Sequence, residues 1–351
     1  MEREKEGTSK RIIEIDGSYG SGGGQIIRTA LAMSALTGKP FHITKIRAKR
    51  KNPGLAAQHL SSVNTVAQLC DAKVKGNFFG SEELWFEPKE IRVEKLKINI
   101  GTAGSISLVL QSLMPIMINI TKALEIEITG GTDVGRAPSM DYTNKVLLKL
   151  LEKMGYNGQI QILKRGFFPK GGGKIIFRAE PMHLKHYDFN ERGKLLRSGG
   201  ISIASRHLEK ARVVERQANE AKKFLELLGI PIELEKAYVD SISQGSAITL
   251  WIQFENSILG SCAIGKKAKP SEQVGKEAIN SLLLEYKENA VVDFHAADQL
   301  LPYIAIAGGS LKTSKISEHA KTNAFVIEKF LPVCFKINEK MGEIKVIKEE
   351  R

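Results

Sequence analysis

A chain of 351 residues that is 42% hydrophobic and 26% charged has the ordinary balance of a globular protein, long enough for two domains and a sizeable core. Its 52 Lys and Arg against 39 Asp and Glu leave a formal charge of +13, which favours polyanionic partners such as nucleic acid or nucleotide phosphates, although a Lys-rich solvated surface carries the same excess. Cys70, Cys262 and Cys334 lie far apart with no CxxC spacing, which argues against a disulfide framework or a zinc site and for a reducing cytoplasm.

The charged run Met1 to Glu6 does not read as a signal peptide. Residues 11–15 read as a strand, and the stretch from Gly17 to Gln25, with glycines at 17, 20, 22, 23 and 24, reads as the turn after it. Residues 26–36 then show helical apolar spacing. Such a turn lets backbone N–H groups approach an anion at a helix N-terminus, and a tight strand-to-helix connection asks for the same glycines. A strand at 41–46, the basic run Arg47-Ala48-Lys49-Arg50-Lys51, a helix at 56–70 and the segment 72–74 complete a first copy of the pattern. The guanidinium groups of Arg47 and Arg50 suit bidentate contacts to phosphate, and a solvated basic loop has the same composition.

A second copy starts at Gly101-Thr102-Ala103-Gly104 and continues through a helix at 106–118, a strand at 124–129, a helix at 142–154 and a strand at 159–163. Its apolar stretch contains Gln111, Ser112 and Pro115 and falls short of the roughly 20 apolar residues that span a bilayer. Residues 185–269 have a different texture and read as an inserted domain. It holds a strand at 200–204, an amphipathic helix carrying Val213, Val214, Ala218, Ala221, Phe224, Leu225 and Leu228, and strands at 248–254 and 258–263. Within it, Gly260 to Lys267 nearly fits GxxxxGK[ST], but Lys267 lacks the hydroxyl and Pro270 breaks the helix that should follow; a strand end with a lysine-rich turn is the better reading.

The third copy comprises a helix at 298–307, with Asp298 as its N-cap, then residues 313–316, a helix at 322–330 and a strand at 333–337. Such helix and strand units in succession indicate an α/β architecture built by repetition. Thr143-Asn144 and Thr322-Asn323 occupy matching places in the second and third copies. Three residues earlier the second copy has Met140 and the third has His319, so the scaffold itself does not need an imidazole there. A lone histidine at a helix start is by default a surface or capping residue.

Taken in order, several segments resemble the RNA 3′-terminal phosphate cyclase family. They are Asp16-Gly17 with Gly22-Gly23-Gly24-Gln25 and Arg28, then 47–60 with Arg47, Arg50, Gln58 and His59, Leu110-Gln111, Gly130 to Asp133, and Arg165 to Pro169 with Gly171-Gly172-Gly173. Ala297-Asp298-Gln299-Leu300 and His319 with Thr322-Asn323 close the series. The resemblance covers nearly the whole chain and implies three βαβαββ units, with a small α/β domain inserted before the third. On that reading 1–184 hold units one and two, 185–269 the insert and 270–351 unit three.

The implied activity is ATP-dependent conversion of an RNA 3′-phosphate to a 2′,3′-cyclic phosphodiester, with release of AMP and diphosphate. His319 would carry AMP covalently before passing it to the RNA end. Gln111, His295, Ala296, Ala297, Asp298 and Gln299 match positions that contact ATP, and Arg28, Arg47, Arg50 and Gln58 match positions around its phosphates. A divalent cation, Mg or Mn, is implied as well. The family usually has Glu where this chain has Ser21, so metal use is expected to differ. Two related folds stand as alternatives: a ribosome-assembly branch, which lacks the histidine, and enolpyruvyl transferases, which are not expected to carry His-Ala-Lys-Thr-Asn.

Overall fold

The protein is described by a computed structural model covering residues 11–20, 22–91, 94–226 and 229–349. The expectations placed on Met1 to Glu6, Ser21 and Leu228 fall outside the described residues. The first unit runs β1 (Ile13–Asp16), α1 (Gln25–Thr37), β2 (Phe41–Thr44), α2 (Ala57–Leu69), β3 (Lys73–Lys75) and β4 (Leu84–Glu87). Its sheet has the order β1-β2-β4-β3, with β1 parallel to β2 and β4 antiparallel to both its neighbours.

The second unit repeats that plan with β5 (Lys95–Asn99), α3 (Ile106–Leu113) and β6 (Leu124–Gly130). It goes on through α4 (Met140–Tyr142), a π-helical turn (Thr143–Leu147), α5 (Leu148–Lys153), β7 (Gly158–Lys164) and β8 (Gly173–Ala179). Its order is β5-β6-β8-β7, with the same pairing senses. In β6 and β8 buried residues alternate with less buried ones, as a strand facing the core on one side requires. Ser105 caps α3 by accepting from the Leu108 N–H at 3.3 Å, and Pro115 turns the helix end into a 3-10 turn, where its missing N–H does no harm.

The third unit starts earlier than its sequence suggests. Strand β9 (Tyr187–Phe189) is followed by β10 (Leu195–Ser205), α6 (Val213–Glu226), β11 (Ile232–Val239), β12 (Ser246–Phe254), β13 (Ile258–Ile264) and α7 (Ser271–Lys287). After these come α8 (Phe294–Ala307), β14 (Gly309–Lys312), α9 (Glu318–Phe330), β15 (Val333–Asn338) and β16 (Glu343–Lys348). Strand β9 pairs in parallel with β14, and the sheet order β15-β16-β14-β9 restores the plan of the other two units. The insert therefore sits after the third unit's first strand, not before the unit.

Its own sheet, β11-β10-β12-β13, is packed by α6 and α7. The expected bounds of 185–269 thus take in β9, which belongs to the third sheet, and leave out α7, whose apolar face, with Val274, Ala278, Ile279 and Leu282, is buried against the insert's core. Helices α1, α3, α8 and α9 meet at the centre of the molecule and enclose the largest continuous core.

The N-cap of α8 is Asp293, five residues before the expected one. Its carboxylate accepts from the N–H groups of His295 and Ala296 at 3.0 Å, from the Gly260 N–H at 3.0 Å and from the Tyr142 hydroxyl at 2.6 Å. One buried carboxylate thereby ties the second unit, the insert and α8 together.

Near it, Glu285 is 5% exposed with one oxygen unpaired, and burial, followed by the charge of Asp293, pushes its pKa from 4.5 up to about 7. The folded value lies above the unfolded one, so between those pH values the folded protein holds a proton that the unfolded chain releases. Stability is then lost as pH rises through that window, by about 3 kcal/mol at most. Glu285→Gln is expected to raise the melting temperature at pH 8 and leave it nearly unchanged near pH 4.5. Thermal melts across that range check this, and equal shifts at both ends would contradict it.

Candidate active site

The N-terminal ends of α8 and α9 face α1 and α3 across a cavity of about 780 Å³, within the range that takes a nucleotide-sized ligand. Ser317 caps α9 by accepting from the Ala320 N–H at 2.8 Å, which puts His319 in the first helical turn. Its side chain is 53% exposed and points to the cavity, with Nδ1 at 3.6 Å from Asp298 Oδ2. The matching Met140 is wholly buried. A histidine at this place in α9 therefore answers to the cavity and not to packing.

Three hydrogen bonds fix the turn that carries it. Gln25 Nε2 donates to the His319 carbonyl at 2.6 Å, the Thr29 hydroxyl to Asn323 Oδ1 at 2.6 Å, and Asn323 Nδ2 to the Asp298 carbonyl at 2.8 Å. These bonds join α1, α9 and α8, so the backbone that carries His319 is fixed against the backbone that carries Asp298. Gln25, Thr29 and Asn323 had no separate role in the sequence reading; Gln25 and Asn323 each lay inside a motif assigned to other residues.

The opposite wall is a polar chain. Arg28 Nε donates to Gln111 Oε1 at 3.2 Å, Gln111 Nε2 to Gln299 Oε1 at 3.0 Å, and Gln299 Nε2 to the His295 carbonyl at 2.7 Å. Burial lowers the Arg28 pKa to about 10, against the raising effect of Asp298, so the guanidinium remains a cation at neutral pH. The cavity thus brings together Arg28, Gln111, His295, Asp298, Gln299 and His319. Ala296 and Ala297 do not face it; both are buried in the packed side of α8.

Arg47, Arg50 and Gln58 do not line the cavity. Arg47 donates from Nη1 to the Gly54 carbonyl at 2.7 Å and is half-buried, so it also holds its own loop. Arg50 is exposed and, among the described residues, its side chain makes no hydrogen bond or ion pair. Gln58 Nε2 lies 3.4 Å from the Nε2 of His59. Burial first, then the charges of Arg28 and Arg47, depress the His59 pKa to about 3, so its ring stays neutral between the two cations. The ring packs against Gly24, where any Cβ would collide with it. That contact accounts for one glycine of the first turn by close approach of a side chain.

The insert supplies part of the wall through Cys262, Lys266 and Lys269. The lysine-rich turn after β13 is a turn as expected, but it opens on the cavity. Lys269 is paired with Glu277, whereas the Lys266 side chain has no hydrogen-bond or ion-pair partner among the described residues. Burial pushes the Cys262 thiol up to about 11, so it is not a thiolate nucleophile at neutral pH. No group of three or more His, Cys, Asp or Glu placed to hold a metal ion occurs among the described residues. A divalent cation held largely by nucleotide phosphates and water would need no such group, and no step below passes through one. Among the described residues no helix is long and apolar enough to cross a membrane.

Fold and site together define an α/β protein of repeated sheet units with an imidazole presented at a helix N-terminus to a basic, nucleotide-sized cavity. Comparison with known proteins gives the family: residues 19–337 match that of the RNA 3′-terminal phosphate cyclases, and the chain belongs to it. A protein of Pyrococcus furiosus bearing that name is 43% identical over 342 residues, covering 96% of this chain and 99% of its own. One of Methanococcoides burtonii is 48% identical over 336 residues, at 95% and 99% coverage, and one of Pyrobaculum aerophilum is 43% identical over 339 residues, at 95% and 97%.

Proposed function

We propose that this protein converts an RNA 3′-phosphate end to a 2′,3′-cyclic phosphodiester at the expense of ATP, and that His319 is its nucleophile. The observation that carries the reading is the exposed imidazole in the first turn of α9, beside Asp298 and across the cavity from Arg28. Asp298 next to Nδ1 favours the tautomer with the proton on that nitrogen and leaves the Nε2 lone pair free.

Nε2 attacks the α-phosphorus, forming an N–P bond as the bond to the bridging oxygen breaks and diphosphate leaves. Asp298 offsets the positive charge on the substituted ring. Arg28, with Arg47 and Arg50 at the rim, offsets the negative charge gathering on diphosphate, and the N-terminus of α9 faces the reacting phosphate. An oxygen of the RNA 3′-phosphate then attacks the same phosphorus and returns the bonding pair to Nε2. Finally the 2′-hydroxyl loses its proton, attacks the RNA phosphorus and expels AMP. Gln111, Gln299 and the face of His295 are left for the nucleoside.

Incubation with ATP labelled at the α-phosphate should leave an acid-labile label on the protein in denaturing electrophoresis. A protein that cyclises RNA ends without ever carrying that label would overturn the mechanism. The two rim arginines should separate in a second test. Arg50→Ala is expected to slow adenylylation about tenfold or more with an unchanged melting temperature, because its side chain is free. Arg47→Ala should slow the reaction and also cost about 1 kcal/mol of stability, since the Gly54 carbonyl loses its donor. Equal melting temperatures for both variants would remove the structural half of the Arg47 role.

A further inference from the structure

Two exposed phenylalanines are held beside the basic loop. The Leu55 N–H donates to the Ser81 carbonyl at 2.9 Å, the Gly80 N–H to the Leu55 carbonyl at 2.8 Å and the Ile46 N–H to the Glu82 carbonyl at 2.9 Å, so the segments 46–55 and 77–82 run side by side. Gly54, at φ +77°, lies so close to the Gly80 backbone that a Cβ would collide with it. The pairing holds Phe78 and Phe79, 64% and 74% exposed, on the segment that runs against the loop carrying Lys49, Arg50 and Lys51, which are exposed too.

Neither ring stacks on another aromatic residue among the described ones, and none of the three cations has a carboxylate partner there; Lys49 reaches only the Gly20 carbonyl, at 3.3 Å. The neighbouring carboxylate of Glu83 is 3.5 Å from His42 Nε2 and turned to that ring. Adjacent aromatic faces in open solvent beside unpaired cations suit one chemistry above others: stacked bases with a phosphate backbone alongside.

The position agrees with the order of the chemistry. Two successive in-line displacements at one phosphorus require the second nucleophile to enter where the first leaving group departed. The RNA phosphate must then come in on the diphosphate side, past Arg28, Arg47 and Arg50. From there the strand leads onto the basic loop, which joins the cavity through Arg47, the His59 ring and the turn ending at Gln25. We propose that Phe78 and Phe79, with Lys49, Arg50 and Lys51, form the surface that binds the single strand of RNA behind its reacting 3′ end. This rests on the cyclase reading of the cavity.

The test compares Phe78→Ala/Phe79→Ala with the parent protein on three readouts: AMP transfer to the protein from ATP alone, cyclisation of a dinucleotide 3′-phosphate, and cyclisation of a 3′-phosphorylated single strand of about twelve nucleotides. AMP transfer and dinucleotide use should be unchanged, while KM for the longer strand rises roughly tenfold or more. Phe78→Trp/Phe79→Trp should retain tight use of the long strand. Unchanged KM for the longer strand with intact AMP transfer would sink the proposal and leave the rings to a protein partner. Equal losses on both substrates would also sink it, because rings that bind the strand behind its reacting end must matter more for the longer substrate than for the dinucleotide. If the parent takes no AMP from ATP, the cyclase reading fails instead, and the anisotropy of a labelled single strand, weaker for the double variant or not, still decides the surface.

Discussion

Replacing His319 by asparagine is expected to abolish ATP-driven cyclisation, with a loss of roughly 10⁴-fold or more, and to leave the fold untouched. The ring is 53% exposed, and neither nitrogen makes a hydrogen bond within normal length, so its removal strands no buried partner. The bonds that fix its turn use the His319 carbonyl and the side chains of Gln25, Thr29 and Asn323, and asparagine keeps all of them. The variant should melt with the parent and carry no label from ATP. An RNA already adenylylated at its 3′-phosphate bypasses the imidazole, and the variant should still cyclise it, since Arg28 and the rim arginines are intact. Retention of ATP-driven cyclisation near the parent rate would end the histidine mechanism.

That result would bear on a comparison already present in the chain. Met140 and His319 precede Thr143 and Thr322 by the same interval, and each threonine hydroxyl donates to the carbonyl four residues back, Ser139 at 3.3 Å and Glu318 at 2.6 Å. The helix starts are alike, and only one carries a group that chemistry can use. This much was legible from periodicity, because α1, α2 and β6 also follow simple apolar spacing.

What escaped the sequence was set by partners distant in the chain. Strand β9 has three residues and becomes a strand only through β14, on the far side of the insert. Asp293 was passed over as a cap because the turn it starts, Phe294 to Ala297, shows no amphipathic pattern; the donors it satisfies come from Tyr142 and Gly260 as well. Lys266 sat in a rejected motif, and only the placement of β13 against the cavity shows where its turn faces. Strand β5, where Lys95, Lys97 and Asn99 are exposed while Leu96 and Ile98 are buried, alternates plainly, yet the second copy read from the sequence begins only at Gly101 and omits this strand.

Arg28→Met should separate function from stability. Burial is the larger influence on this guanidinium and holds its pKa near 10, well below the ordinary guanidinium value, with Asp298 opposing. The folded value is the depressed one, so the unfolded chain binds the proton more tightly, and the charge costs the fold stability at every pH below about 10. That cost fades only as pH rises above 10 towards the ordinary guanidinium value. A methionine of similar length removes the charge and frees Gln111 Oε1, which lies at a solvent-accessible cavity wall. The stability should therefore stay within about 1 kcal/mol of the parent or rise. Adenylylation should fall by about 10² to 10³, because the departing diphosphate loses the buried cation of the cavity wall. Arg28→Lys keeps the charge but loses the planar fork that meets Gln111 and a phosphate oxygen at once, and should recover only part of the rate. The informative pair of measurements is single-turnover AMP transfer against thermal melting on the same preparations. A methionine variant that loses rate and stability together would mark Arg28 as a structural cation, and would leave diphosphate departure to Arg47 and Arg50 at the rim.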